Sequence, residues 1–163
     1  MTLKKRYIVF ALIYILVPTC FCDYSYSAPR NGKLFLQIVK QPQGVILAEC
    51  NVAPGEHFFI DYTHSSDHTP IHDVFLIDEQ GCIVLIEETY EWYGSGLEFQ
   101  SGSDSTLSFE GTKTRVLLHR SFPHFLLRVG RVANHIVTCR DRKIPLKNLT
   151  AGGDLVLIRV VER

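Results

Sequence analysis

The sequence has no surplus of either charge: 17 lysines and arginines balance 17 aspartates and glutamates. Beyond the first few residues there is no lysine or arginine cluster. Nucleic-acid binding depends on a basic stripe that meets phosphates, so that class is excluded. Internal repeats and low-complexity tracts are absent. After residue 30 no long window carries apolar residues at three-to-four spacing between helix caps, which excludes a helical bundle. No uninterrupted apolar run reaches the roughly 20 residues of a membrane-spanning helix, and a chain without such spans is not a permease. Cysteine is sparse. Cys20, Cys22, Cys50, Cys82 and Cys139 follow no zinc-binding spacing.

The first residues are distinctive. Lys4, Lys5 and Arg6 precede an apolar run from Tyr7 to Val17, which Pro18 ends. A positive segment followed by a short apolar one is the pattern of an export signal. Ser25 and Ser27 supply small residues for a cut before Ala28, so residues 1–27 are expected to be a signal peptide. An N-terminal membrane anchor through Cys22 is the alternative. Cys20 and Cys22 raise lipidation, but neither Val17-Pro18-Thr19-Cys20 nor the next frame makes a good lipobox. Loss of Lys4, Lys5, Arg6 and Asp23 leaves the remainder slightly acidic. It also leaves Cys50, Cys82 and Cys139, two of which can pair outside the cytosol. The expected location is the periplasm or the outer face of the cytoplasmic membrane.

From residue 28 onward the pattern is one of strands and turns, and we assign 28–163 to a single domain. Phe58, Ile60 and Tyr62 alternate with Phe59, Asp61 and Thr63, as in a half-buried strand. Val74 to Ile77 and Ile83 to Ile86 flank Asp78-Glu79-Gln80-Gly81, the clearest hairpin in the chain. Its second strand is expected to continue past Tyr90 to Trp92. About nine or ten short strands, with turns every eight to twelve residues, define an all-β fold: an antiparallel β-sandwich or partly open barrel. The one helical element expected is a short turn around Pro145 to Leu149.

Chemistry-bearing residues concentrate between Tyr62 and Asp73. His64, His68 and His72, with Asp73, are metal-ligating types, and imidazole with carboxylate suits zinc, copper or nickel. Helical spacing would align the three histidines, but Thr69-Pro70 opposes a helix. In an extended chain they would spread over about 26 Å and converge only if the chain bent. Hydrolysis is a second reading. It requires a serine on a tight turn beside an oxyanion hole, and no Gly-x-Ser-x-Gly elbow is present. The third is architectural, with histidine side chains pinning the loop to a carbonyl or to Asp73. A second segment, Glu87 to Leu97, mixes acids, Tyr90, Trp92 and Tyr93 with Gly94 and Gly96. Its glycines allow positive φ or close approach of a ligand to the backbone.

Phe59-x-Asp61-Tyr62-x-His64-Ser65, Thr69-Pro70-Ile71-x-Asp73, Tyr90 and Gly94-Ser95-Gly96-Leu97 resemble the domain-of-unknown-function family 1850. Its members are small, mostly exported bacterial and archaeal proteins. Ser66 stands where that pattern has valine, Asp73 where it has glutamate, and Ser95 and Glu98 where it has alanine and proline. Members are often encoded beside TRAP transporters of the TAXI type. The resemblance therefore implies a non-catalytic extracytoplasmic accessory or binding domain, without cofactor. Its implied partners are a TRAP permease or substrate-binding protein and a small-molecule ligand, with membrane contact only through the N-terminal segment. Tyr62, His64, Ser65, Asp73, Tyr90, Gly94 and Gly96 are expected to form one surface. The alternatives are a metal-binding protein or metal-dependent enzyme built on His64, His68, His72 and Asp73, and an envelope structural protein.

Overall fold

The computed structural model describes residues 32–91 and 105–163. The N-terminal segment 1–27, the stretch from Trp92 to Phe99 with Gly94 and Gly96, and most of the following polar loop lie outside the described residues. Strands dominate what is described, and no helix there is long and apolar enough to cross a membrane.

Among the described residues, eleven strands form two antiparallel sheets that do not close into a barrel. The smaller sheet has the order β2 (Val45–Val52), β1 (Leu34–Gln41), β11 (Leu155–Glu162), β8 (His124–Arg128). The larger has the order β10 (Arg142–Pro145), β9 (Ile136–Cys139), β3 (His57–Thr63), β4 (Pro70–Ile77), β5 (Ile83–Tyr90), β7 (Lys113–Phe122), β6 (Ser105–Glu110). The result is the expected β-sandwich. Strand β10 was not foreseen, because Arg-Lys-Ile-Pro offers two exposed cations and a proline. It sits at a sheet edge, where a missing N–H is tolerated. The expected turn after it is a short 3-10 helix, Leu146–Asn148.

The core lies between the inward faces. Leu34, Leu36 and Ile38 of β1 and Val156 and Ile158 of β11 meet Phe58, Ile60, Ile71, Ile77 and Val137 of the larger sheet. Phe75 bridges the layers, stacked on Phe58 at 4.8 Å and on Phe125 of β8 at 5.3 Å. A disulfide between Cys50 of β2 and Cys139 of β9 clamps one sheet to the other across 89 residues of chain. Cys82 takes no part in it.

Strand β5 departs from simple alternation. Val74 faces Glu87 and Phe75 faces Leu85, so Ile86 is an extra residue in the ladder. Such a bulge reverses which side chains point inward beyond it. Ile83 and Leu85 enter the core before the bulge, and Glu88 and Tyr90 share the inward face after it.

Candidate functional site

The functional segment occupies one end of the larger sheet. Two rows of cross-strand neighbours run over its inward face. Tyr62, Ile71, Tyr90 and Thr114 oppose one another on β3, β4, β5 and β7. One step deeper lie Ile60, Asp73, Glu88 and Val116. Opposed residues share a face, so two carboxyl groups point into the sandwich side by side beneath two tyrosines.

Electrostatics follow from that placement. Asp73 is only 8% exposed, and its Oδ1 finds no hydrogen-bond partner. Burial first, then Glu88 and Asp61, pushes its carboxyl up to about 8. Burial likewise holds the Tyr62 phenol well above its ordinary value, with Asp73 and Glu88 adding to the shift. His135, just before β9, stacks on Tyr62 at 5.3 Å between ring centres. It is buried, its Nδ1 has no partner, and burial favours its neutral form.

The outward face of the same strands carries a different pair. Asp61 and His72 oppose each other, with Oδ1 and Nδ1 2.6 Å apart. Phe59 stacks on the His72 ring at 5.4 Å. This pair lines a cavity of about 290 Å³, together with Thr63, Thr89, Glu91 and Lys113. Asp61 was absent from the sequence candidates, as were Glu88 and His135. Alternation alone could have placed Asp61 beside a neighbouring strand, but only the register brings it to His72.

The loop between β3 and β4 is fixed by its own backbone. His64 N–H donates to Thr69 O at 2.8 Å, and His68 N–H to His64 O at 3.0 Å. His68 takes positive φ, 59°. His64 Nδ1 lies 3.0 Å from both Ser66 Oγ and Asp67 Oδ1, and Ser66 also hydrogen-bonds Asp67. A second cavity, of about 660 Å³, lies between this loop and the β6–β7 turn. It shares Glu91 with the first.

The expected residues are therefore distributed as follows. Tyr62, Asp73 and Tyr90 come together: Asp73 and Tyr90 are buried, Tyr90 to 1% exposure, while Tyr62 is half-buried, and both tyrosines line the smaller cavity. Their strands face the apolar layer, and the bulge at Ile86 turns Tyr90 into it. His64 and Ser65 lie beyond the end of β3, on the loop, with Ser65 exposed. Of the proposed metal set, His72 and Asp73 point to opposite faces of β4, as successive strand residues must. His64 is engaged with Ser66 and Asp67. Among the described residues, no group of three or more His, Cys, Asp or Glu is placed to hold a metal ion.

A two-layer β-sandwich with an inward-facing Tyr-Asp-Glu-Tyr cluster and cavities at one end is the class of protein that fold and site define. The chain belongs to the family described as domain of unknown function DUF1850, whose model matches residues 58–146. The matched stretch begins in β3 and ends just past β10, so it holds almost the whole larger sheet with the candidate site, while β1, β2 and β11 fall outside it. No curated protein and no solved structure matches the chain.

Proposed function

We propose that this chain is a non-catalytic extracytoplasmic binding domain serving a TRAP-type uptake system of the TAXI class. In this reading it holds the system's solute or meets its permease or substrate-binding protein. The observation that carries the binding role is the pair of cavities at the end of the sandwich where the family's residues gather. Small-molecule sites are concave, span roughly 300–1,000 Å³ and combine apolar walls with a few polar groups. Both cavities have that character.

Two features support the compartment. A disulfide joining the two sheets is stable where thiols are oxidised, and cytosolic proteins seldom carry one. The cationic and apolar start of the chain has the make-up of an export signal. The link to a TRAP system rests on the family resemblance.

The test is capture of the tagged protein, expressed with its own N-terminus, from detergent-solubilised membranes. A permease or substrate-binding protein enriched with it is the expected result. A folded protein that brings down neither overturns the transporter link.

A further inference from the structure

The two cavities differ in charge. The smaller sets Asp61 and Glu91 against His72 and Lys113, so both signs are present. Among the described residues the larger is lined by Asp67, Thr69, Glu91, Phe109, Thr112 and Thr114, with no lysine, arginine or histidine among them. Its polar wall is made of carboxylates and hydroxyls.

Three observations about that wall point the same way. Asp67 uses Oδ1 for Ser66 and His64, while its Oδ2 is shielded from solvent without a hydrogen-bond partner. The Ser66 hydroxyl, followed by His64, keeps the Asp67 carboxyl below its usual value despite opposing desolvation, so it presents a negative charge. Thr69 Oγ1 is likewise shielded and without a partner. Oxygen atoms withdrawn from water without a donor are costly, and a ligand that supplies hydrogens removes the cost. Across the chamber, Phe109 opposes Thr114 on the β6–β7 pair and offers an apolar ring. Gly111, at φ 65°, makes the tight turn that brings Thr112 to the rim.

We propose that the larger chamber binds a compact organic cation: a primary or secondary ammonium group donates to Asp67 Oδ2 and Thr69 Oγ1 near Glu91, and its hydrocarbon part lies against Phe109. The chamber is large enough for such a molecule, and the Phe109 ring gives its hydrocarbon part an apolar wall. The proposal rests on the binding role above only in placing a ligand at this end of the sandwich.

The probe is 1-butylammonium chloride, titrated into the purified protein by calorimetry and by thermal melting. Sodium butyrate, 1-butanol and sodium chloride at equal ionic strength are the controls. Butylammonium is expected to bind and raise the melting temperature, and the controls are expected to leave it unchanged. Glu91→Gln and Asp67→Asn should each weaken butylammonium binding about tenfold. Glu91→Gln leaves the β3–β4 loop intact, so it reports on binding if Asp67→Asn perturbs that loop. Equal shifts with butanol, or wild-type affinity in a folded Glu91→Gln protein, would overturn the proposal. Failure here with a transporter partner still captured removes the ligand class alone. Binding here without a captured partner removes the transporter link alone.

Discussion

At the residue scale the decisive group is Asp73. A carboxyl facing the sandwich interior, opposite Glu88 and short of a hydrogen-bond partner, holds its proton far above the unfolded value of about 3.9. Below about pH 4 both folded and unfolded chains carry the proton, and the stability tied to this group is fully present. Between about pH 4 and the folded value of about 8 the unfolded chain releases the proton first, so stability falls as pH rises. The total loss is up to about 6 kcal/mol for a shift of this size. Urea unfolding at pH 5 and pH 8 should therefore show a steep drop for the wild type. Asp73→Asn should flatten it and be the more stable protein at pH 8. An unchanged pH slope in the variant would show that Asp73 titrates normally. Tyr62 and His135 belong to the same cluster, His135 buried and Tyr62 half-buried.

At the element scale, β3 to β5 carry the site, and they show what was legible beforehand. The alternation in His57 to Thr63 correctly separates Phe58, Ile60 and Tyr62 from Phe59, Asp61 and Thr63. The hairpin around Asp78 to Gly81 is where its residues place it, with Asp78 Oδ1 accepting from the N–H groups of Gln80 and Cys82. Alternation fails in β5. Read without a bulge, Ile83 and Leu85 lead to Glu87 and Thr89 on the inward face, and Glu88 and Tyr90 point out. Ile86 reverses this, and nothing in a single sequence marks an isoleucine as the extra residue. The Asp61–His72 pair was hidden for a related reason: it depends on register between strands, which the sequence does not print. The bulge makes a direct forecast. Deleting Ile86 removes the extra residue, so Glu87 follows Leu85 in the ladder and Glu88 and Tyr90 keep the inward face. The deletion variant should therefore retain a cooperative melt with Tyr90 still shielded from solvent. A melt that loses cooperativity or falls by well over 2 kcal/mol, the range of large core defects, would mean that Ile86 is not the extra residue.

At the scale of the whole molecule, two sheets meet over a shared core, and the Cys50–Cys139 disulfide clamps them together. The clamp joins an edge strand of the smaller sheet to the larger sheet, which carries the family's pattern. Closing a long loop in the unfolded chain stabilises the folded one by about 2–4 kcal/mol. Chemical denaturation with and without reductant should differ by that amount, and Cys139→Ser should show the reduced value under both conditions. Coincident curves would mean the clamp is not formed in solution. The all-β class and the sandwich were open to reading from turn spacing. Which two cysteines pair was not, because pairing depends on which strands lie across the layers. The central claim is that the chain works outside the cytosol, and mass spectrometry of the protein taken from its own cells with thiols blocked at lysis tests it most directly. The expected result is a chain lacking residues 1–27, with Cys50 and Cys139 recovered as one linked peptide pair that escaped alkylation. A chain beginning at Met1 with both of those cysteines alkylated would contradict it.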